Sequence, residues 1–441
     1  MTDCFYERIK YRVSEMTLES TSFVSRMKEN PDLSFYVLYT VLYVFMIGLT
    51  NVVNGFVGNN YGWYDVHFYW ENTNFIFNGM WPYQDFKTAY PPFSLAIYLI
   101  PYLITPTDDT FMYGFTVFTY LFTILAIHGS LKFCDWKGLD HKYVYLTFLL
   151  LIVGVNNFFI GRNDTITTVF VILSLLFYWK EKYSVAFILM ALGAMTKIYP
   201  VFLIPVLLIP FLVDKNWKSF FKYTLISAIV CLVIELPFLI NDPATAFSYL
   251  TQHSGRGFEI ESIVAIPLMI VGLFDSSLVY VGMDESWDLF GPLPEAVSPY
   301  VMPMTMAILL IFMLYFLFKL WKIDVDLEKK LALTTLACAT TLMLFMAFNK
   351  VFCVQYVMWV IMMYPLIIYS FKVFGLEYKK LWYLLIAMTA TTLLTVAMIG
   401  GSTAELTIQL VIADILKGVS VFALVFYLLI RIKQCFDSCK E

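Results

Sequence analysis

The sequence predicts an all-α protein that crosses a membrane about twelve times, with further helices lying on the surface in a long first outer segment. Three observations predict it. Of the 441 residues, 60% are hydrophobic and 14% are charged. Soluble domains are closer to half apolar and a quarter charged, so an ordinary soluble enzyme is excluded. Twelve apolar runs recur, near 33–53, 110–131, 143–160, 165–179, 184–196, 200–212, 223–240, 300–319, 331–348, 353–371, 381–399 and 407–430. Finally, the cations fall in alternate connecting segments. With a cytoplasmic N-terminus, 23 of the 29 lie inside, five outside (Lys87, Arg162, Lys197, Arg256, Lys350) and one, Lys417, within a span. That asymmetry is what the positive-inside rule requires.

Taken in order, residues 1–32 mix acids and bases without an apolar region. No cleavable signal peptide is expected there, and 33–53 reads as an uncleaved first span. The run from Pro91 to Thr105 is short and interrupted by Pro101, which suits a surface helix better than a crossing. Counting it as a span would also put Lys132, Lys137 and Lys142 outside. Residues 54–109 therefore form one outer segment, with one helix starting near Asp65 and a second near Pro92. A second outer segment covers about 241–299. The expected division is a cytoplasmic segment 1–32, one transmembrane domain 33–430 and a cytoplasmic tail 431–441. No internal repeat is evident. The net charge of −4 and the scattered cations speak against nucleic acid. Seven cysteines without paired extracellular spacing predict no structural disulfide.

The polar chemistry gathers at the outer turns. Residues 183–212 must cross twice if the lysines on either side lie inside, yet each arm has about 13 residues, near 20 Å of helix against a roughly 30 Å core. The turn Thr196-Lys197-Ile198-Tyr199-Pro200 then falls below the outer interface. Non-helical backbone survives there only under protein or beside a water-filled cavity, which puts Lys197 in a cavity wall. Asp65 opens a helix-like run, where it can cap the helix or act on a substrate. Gly161-Arg162-Asn163-Asp164 is a tight outer turn, in which Asp164 either caps the next span or lines the cavity. The stretch from His253 to Ser262 brings Arg256, whose guanidinium suits phosphate. Asn349-Lys350-Val351-Phe352-Cys353-Val354-Gln355-Tyr356 brings another cation. The four histidines (His67, His128, His141, His253) have no ligand spacing and the cysteines do not cluster, so no metal and no cofactor is expected. Asp108 and Asp109 read as solvated caps of the second span. Asp414 and Lys417, one turn apart in the last, read as a neutralising pair.

Asp65, then Asn78-Gly79-Met80-Trp81-Pro82-Tyr83 and Tyr90-Pro91-Pro92, then these turns in this order, together resemble glycosyltransferase family 87. The family comprises GT-C-fold mannosyltransferases that use polyprenol-phosphate mannose. The resemblance runs from about residue 33 to 360. It implies a GT-C-like fold with the active site outside and an acidic residue of the first outer loop as base, a role that maps onto Asp65. Many GT-C enzymes carry an adjacent acidic pair there, whereas Val66 follows here, so Glu71 and Asp85 stay open as alternatives. The expected substrate-binding residues are Lys197, Arg256, His253, Arg162, Asp164, Tyr90, Glu261, Lys350 and Gln355. The expected partners are a polyprenyl-phosphate sugar donor, a glycolipid or glycan acceptor and the lipids of the cell membrane. A phosphate leaving group needs no protonation, so one base and fixed cations predict inversion at the anomeric carbon. The alternatives are a transporter or flippase of a lipid-linked or anionic substrate, and a glycan polymerase or ligase with a diphosphate donor.

Overall fold

A computed structural model of the chain describes residues 29–57, 63–283, 286–399 and 406–439, together with 25 and 27. Most of the segment 1–32, with Cys4 and the cations Arg8, Lys10, Arg12, Arg26 and Lys28, lies outside the described residues, as does Lys440. Each of the twelve apolar runs coincides with a helical element. They begin with α1 (Pro31–Val57), after which α2 (Tyr64–Phe77) and α3 (Pro92–Tyr102) are the two helices expected in the first outer segment. α4 (Asp108–Lys137) follows. α5 (Lys142–Leu149) continues through a π-helical stretch, Leu150–Val155, into a single turn, Asn157–Ile160. Then come α6 (Asn163–Trp179), α7 (Tyr183–Thr196), a 3-10 turn at Tyr199–Phe202 leading into α8 (Leu203–Val213), and α9 (Trp217–Asn241).

The segment expected to be the second outer one, about 241–299, holds structure that hydropathy does not reveal. Here α10 (Ser248–Gly255), β1 (Phe258–Glu259), α11 (Ile266–Phe274), β2 (Tyr280–Met283) and β3 (Trp287–Phe290) follow one another. The strands form a small antiparallel sheet in the order β1-β3-β2, with Glu259 opposite Asp288. The chain continues with α12 (Pro292–Trp321), α13 (Leu327–Phe348), α14 (Val357–Ile361), α15 (Tyr364–Val373), α16 (Lys379–Ile399) and α17 (Ile408–Asp437). Among the described residues eight helical stretches are long and apolar enough to cross a membrane, and those at 142–155, 163–179, 183–196 and 199–213 are shorter. The protein is therefore an all-α polytopic membrane protein.

α13 is buried on every side, as expected of a helix that is apolar all round. Its start is capped by Asp326, whose carboxylate accepts from the Lys329 amide at 2.8 Å. The hydroxyls of Thr334, Thr335, Thr340 and Thr341 each donate to the carbonyl four residues back, so no side-chain donor is stranded. By contrast, α1, α9 and α12 leave long apolar ridges exposed, including Val44, Phe45, Leu232, Val233, Leu310 and Ile311. Such ridges suit lipid.

Ion pairs join helix ends that the topology places together. At one end of the bundle Lys137 meets Glu328 at 2.6 Å and Lys330 meets Asp214 at 2.5 Å. There His141 bridges Asp32 (2.8 Å) and Asp135 (2.9 Å). At the opposite, loop-bearing end the pairs are Asp65–Arg162, Asp164–Lys197 and Arg256–Glu259. One expectation is corrected at that end. Asp108 does not cap α4, because Thr107 holds the cap position and the Asp108 carboxylate instead accepts from His67 at 2.7 Å. In α17, Asp414 and Lys417 pair at 2.5 Å, as the spacing suggests.

Burial opposes charging of His141, but Asp32 and Asp135 outweigh it and raise its pKa. A histidine raised on folding stabilises fully below the unfolded value, about 6.5, and that contribution is lost as pH rises through the native value. The melting temperature of the purified protein should therefore fall across that window. His141→Asn should flatten the dependence, and an unchanged profile would contradict the bridge.

Candidate functional site

Three departures from regular helix bring the first half of the site together. The π-helical stretch ends at Asn156, whose φ of +51° turns the chain and whose side chain accepts from the Asn157 amide at 2.6 Å. Gly161 then leaves room for an indole, since a Cβ there would lie 3.1 Å from the Trp63 ring. Trp63 is itself held by its Nε1 donating to Asn51 at 2.7 Å. The first turn of α2 thus sits over the Arg162 turn, and the Asp65 carboxylate meets the Arg162 guanidinium.

One residue into α6, Asp164 is 1% exposed and accepts three hydrogen bonds. Lys197 Nζ reaches both of its oxygens at 2.8 Å, and Trp359 Nε1 reaches Oδ1 at 3.0 Å. Asp164 therefore does not cap α6; it holds the α7–α8 turn. The Trp359 ring is sandwiched between Tyr199 (3.8 Å) and Tyr356 (4.0 Å), and Lys197 Nζ stands 4.9 Å over Tyr356. Tyr90 closes this half. Its hydroxyl lies 3.3 Å from that of Tyr69, which accepts from the Asn163 amide at 3.2 Å.

The second half is built on the small sheet. Arg256 lies 3.4 Å from Glu259 and 3.7 Å from Asp288, the two carboxylates that the β1–β3 register places opposite one another. It also contacts the Ser286 hydroxyl. Lys350 donates to the Arg256 carbonyl and to Ser298. Glu259 accepts from the Phe352 amide at 2.8 Å and Glu261 from the Val354 amide at 3.1 Å, which pins segment 349–356 to the sheet. Gln355 is buried in the 3-10 turn that follows. His253 falls in α10, and its side chain lies outside the described residues.

The two halves share electrostatics. Burial raises the Tyr90 phenol, Asp164 and Cys353 add to that, and Arg256 opposes it, so Tyr90 lies within the field of both. Burial pushes the Glu261 carboxyl up to about 8, with Glu259 adding to the effect. Burial lowers Lys350, and Asp288 works against it. For Arg256 burial again opposes the charge, but Glu259 and Asp288 more than restore it.

Lys197 is expected in a cavity wall and Arg256 as a cation suited to phosphate. Arg162, Lys197 and Arg256 are each held by a carboxylate, because a cation buried without a partner is costly. Asp288 and Trp359 escaped the sequence reading. Trp359 looks like an ordinary span residue, and Asp288 becomes meaningful only through strand register. Glu259, Glu261 and Cys353 bring three possible metal-ligand atoms within 4.8 Å of one another, a set assembled from distant segments that spacing does not reveal. The Cys353 thiol donates to Glu259 at 3.0 Å and would have to lose that proton to bind an ion.

Comparison with known families matches the chain to glycosyltransferase family 87 over residues 88–349. The matched stretch contains Tyr90, Arg162, Asp164, Lys197, Arg256 and Glu261. No curated protein and no solved structure matches.

Lys197→Ala would leave the Asp164 carboxylate buried without its cation, which should cost about 3–5 kcal/mol of stability. Asp164→Asn combined with Lys197→Met should cost less than the sum of the single changes. Denaturant unfolding in a mild detergent measures both, and strict additivity would contradict the clamp.

Proposed function

The chain belongs to glycosyltransferase family 87, and on that premise we propose that it transfers a hexose, mannose by the family resemblance, from a polyprenyl-phosphate sugar to a lipid-linked or surface glycan acceptor. The transfer takes place at the loop-bearing end, which faces outside the cell membrane in a GT-C-like arrangement with both termini cytoplasmic. The observation that carries this reading is Asp65, ion-paired with Arg162 at the rim of a buried layer of fixed cations.

Arg162 holds the Asp65 carboxylate in place. Asp65 takes the proton of the acceptor hydroxyl as its oxygen attacks the anomeric carbon. The bond to the carrier phosphate breaks on the opposite face, and the configuration inverts. The departing oxygen leaves as an ionised phosphate, so no general acid is required. Lys197 and Arg256, with Arg162 and Lys350 beside them, stabilise the growing charge. Because carboxylates and aromatic rings already hold them in place, little reorganisation is left for the transition state. Among the described residues of the first outer segment, Asp65 is the carboxylate paired with a guanidinium, which favours it over Glu71 and Asp85. Asp85 accepts from the Trp81 amide at 2.6 Å and so serves its own turn.

The test offers the purified protein radiolabelled polyprenyl-phosphate mannose and membrane glycolipid acceptors. Asp65→Asn should lower transfer by roughly 10²–10⁴-fold, Lys197→Ala should abolish it, and Asp109→Asn should leave it intact. Transfer that survives in Asp65→Asn, or that never occurs with a monophosphate donor, would reject the reading.

A further inference from the structure

α9 presents an apolar ridge of Leu232, Val233, Leu236 and Ile240, all exposed. Between these residues in sequence, on the covered side, stands Glu235, 3% exposed. It lies six residues, about 9 Å, from the end of the helix at Asn241. Its Oε2 accepts from the Tyr249 hydroxyl at 3.1 Å, while Oε1 is buried with no hydrogen-bond partner among the described residues. No lysine, arginine or histidine pairs with it among those residues. A carboxylate in that state is expensive, and at such a position it marks a functional site by default.

Glu235 is walled by aromatic rings. Tyr249 packs against Tyr83 at 5.5 Å, Tyr83 against Phe238 at 5.2 Å, and Phe238 against Trp81 at 5.9 Å. Tyr83 sits at φ +71°, a left-handed conformation that tyrosine rarely adopts. It is held there by its amide donating to the Phe86 carbonyl and its hydroxyl donating to the Tyr90 carbonyl at 2.7 Å. Through Tyr90 and Tyr69 the wall is tied to the first turn of α6. Strained backbone that the surroundings over-determine is common at ligand clamps.

We propose that Glu235, with Tyr249 and the Trp81–Tyr83–Phe238 wall, is a subsite for the hydroxyls of a sugar carried by an amphiphile. A sugar hydroxyl would satisfy Oε1, and the C–H faces of the ring would lie on the aromatic side chains. Leu232 and Leu236, which flank Glu235 on α9, begin the exposed ridge along which the hydrocarbon tail of such a molecule would lie. Carrier-linked sugar and glycolipid acceptor share this chemistry. Deciding between them rests on the glycosyltransferase reading, whereas binding itself does not.

The test places the full chain in phospholipid nanodiscs and measures equilibrium binding of radiolabelled n-octyl α-D-mannopyranoside. Saturable binding, weakened roughly tenfold or more by Glu235→Gln and not displaced by n-octanol, is expected. Equal binding to wild type and variant, or displacement by octanol, would overturn the subsite. Glu235→Gln should keep or raise the melting temperature, because it removes an unmatched buried charge. A lower melting temperature would mean that Glu235 serves only to hold Tyr249 and would also overturn the proposal. In transfer assays the variant should raise KM for one substrate with kcat nearly unchanged. A rise for the donor places the carrier sugar at Glu235, a rise for the glycolipid places the acceptor there, and no rise for either rejects the site. Should no transfer be detectable even in wild type, the binding measurement still decides.

Discussion

The site depends on one buried carboxylate. Asp164 accepts from Lys197 through both oxygens and from the Trp359 indole through one, and so ties three chain segments, 162–164, 197–199 and 356–359, into one clamp. The α7–α8 hairpin is too short to reach far on its own, since α7 has 14 residues and α8 has 11. Its turn therefore needs partners inside the protein, and the clamp supplies them. The same clamp orders the first turn of α6, on which Arg162 and hence Asp65 are positioned.

The loop-bearing end is rich in charge yet close to balanced. Arg162, Lys197 and Arg256 are matched by Asp65, Asp164 and the Glu259–Asp288 pair, and Glu261 adds a further acid. Electrostatics explains the arrangement. A buried cation without a partner is costly, and a facing carboxylate holds each of these in place. If the proposed phosphate donor binds here, it would share these cations with their carboxylates rather than meet bare charge. The small sheet belongs to this design, because its register is what puts two acids beside one arginine.

Much of this was legible in the sequence. The helices announced themselves through apolar runs, and the alternating lysines placed their ends, so that Lys137 and Glu328, or Lys330 and Asp214, meet where the topology expects. The two helices expected between the first two long spans, at Tyr64–Phe77 and Pro92–Tyr102, followed from length and proline placement. The cations at the turns were found because ionisable residues are rare in such a chain. What stayed hidden was pairing over distance: Trp359 is 195 residues from Asp164, and Cys353 is 94 from Glu259. α10, α11 and the sheet stayed hidden because short elements carry little periodicity. Glu235 did leave a signal, a lone acid within an apolar run, which hydropathy alone passes over.

The proposed transfer requires Asp65 and Lys197 to share a compartment away from the cytosol. Single cysteines placed at exposed Lys87 and Ala244, and at exposed Lys182 and Lys322, in a cysteine-free background would be challenged with an impermeant maleimide on intact cells. The first two should label at once and the last two only after permeabilisation. Labelling of Lys87 and Lys182 positions from the same side would contradict the topology and the site built on it.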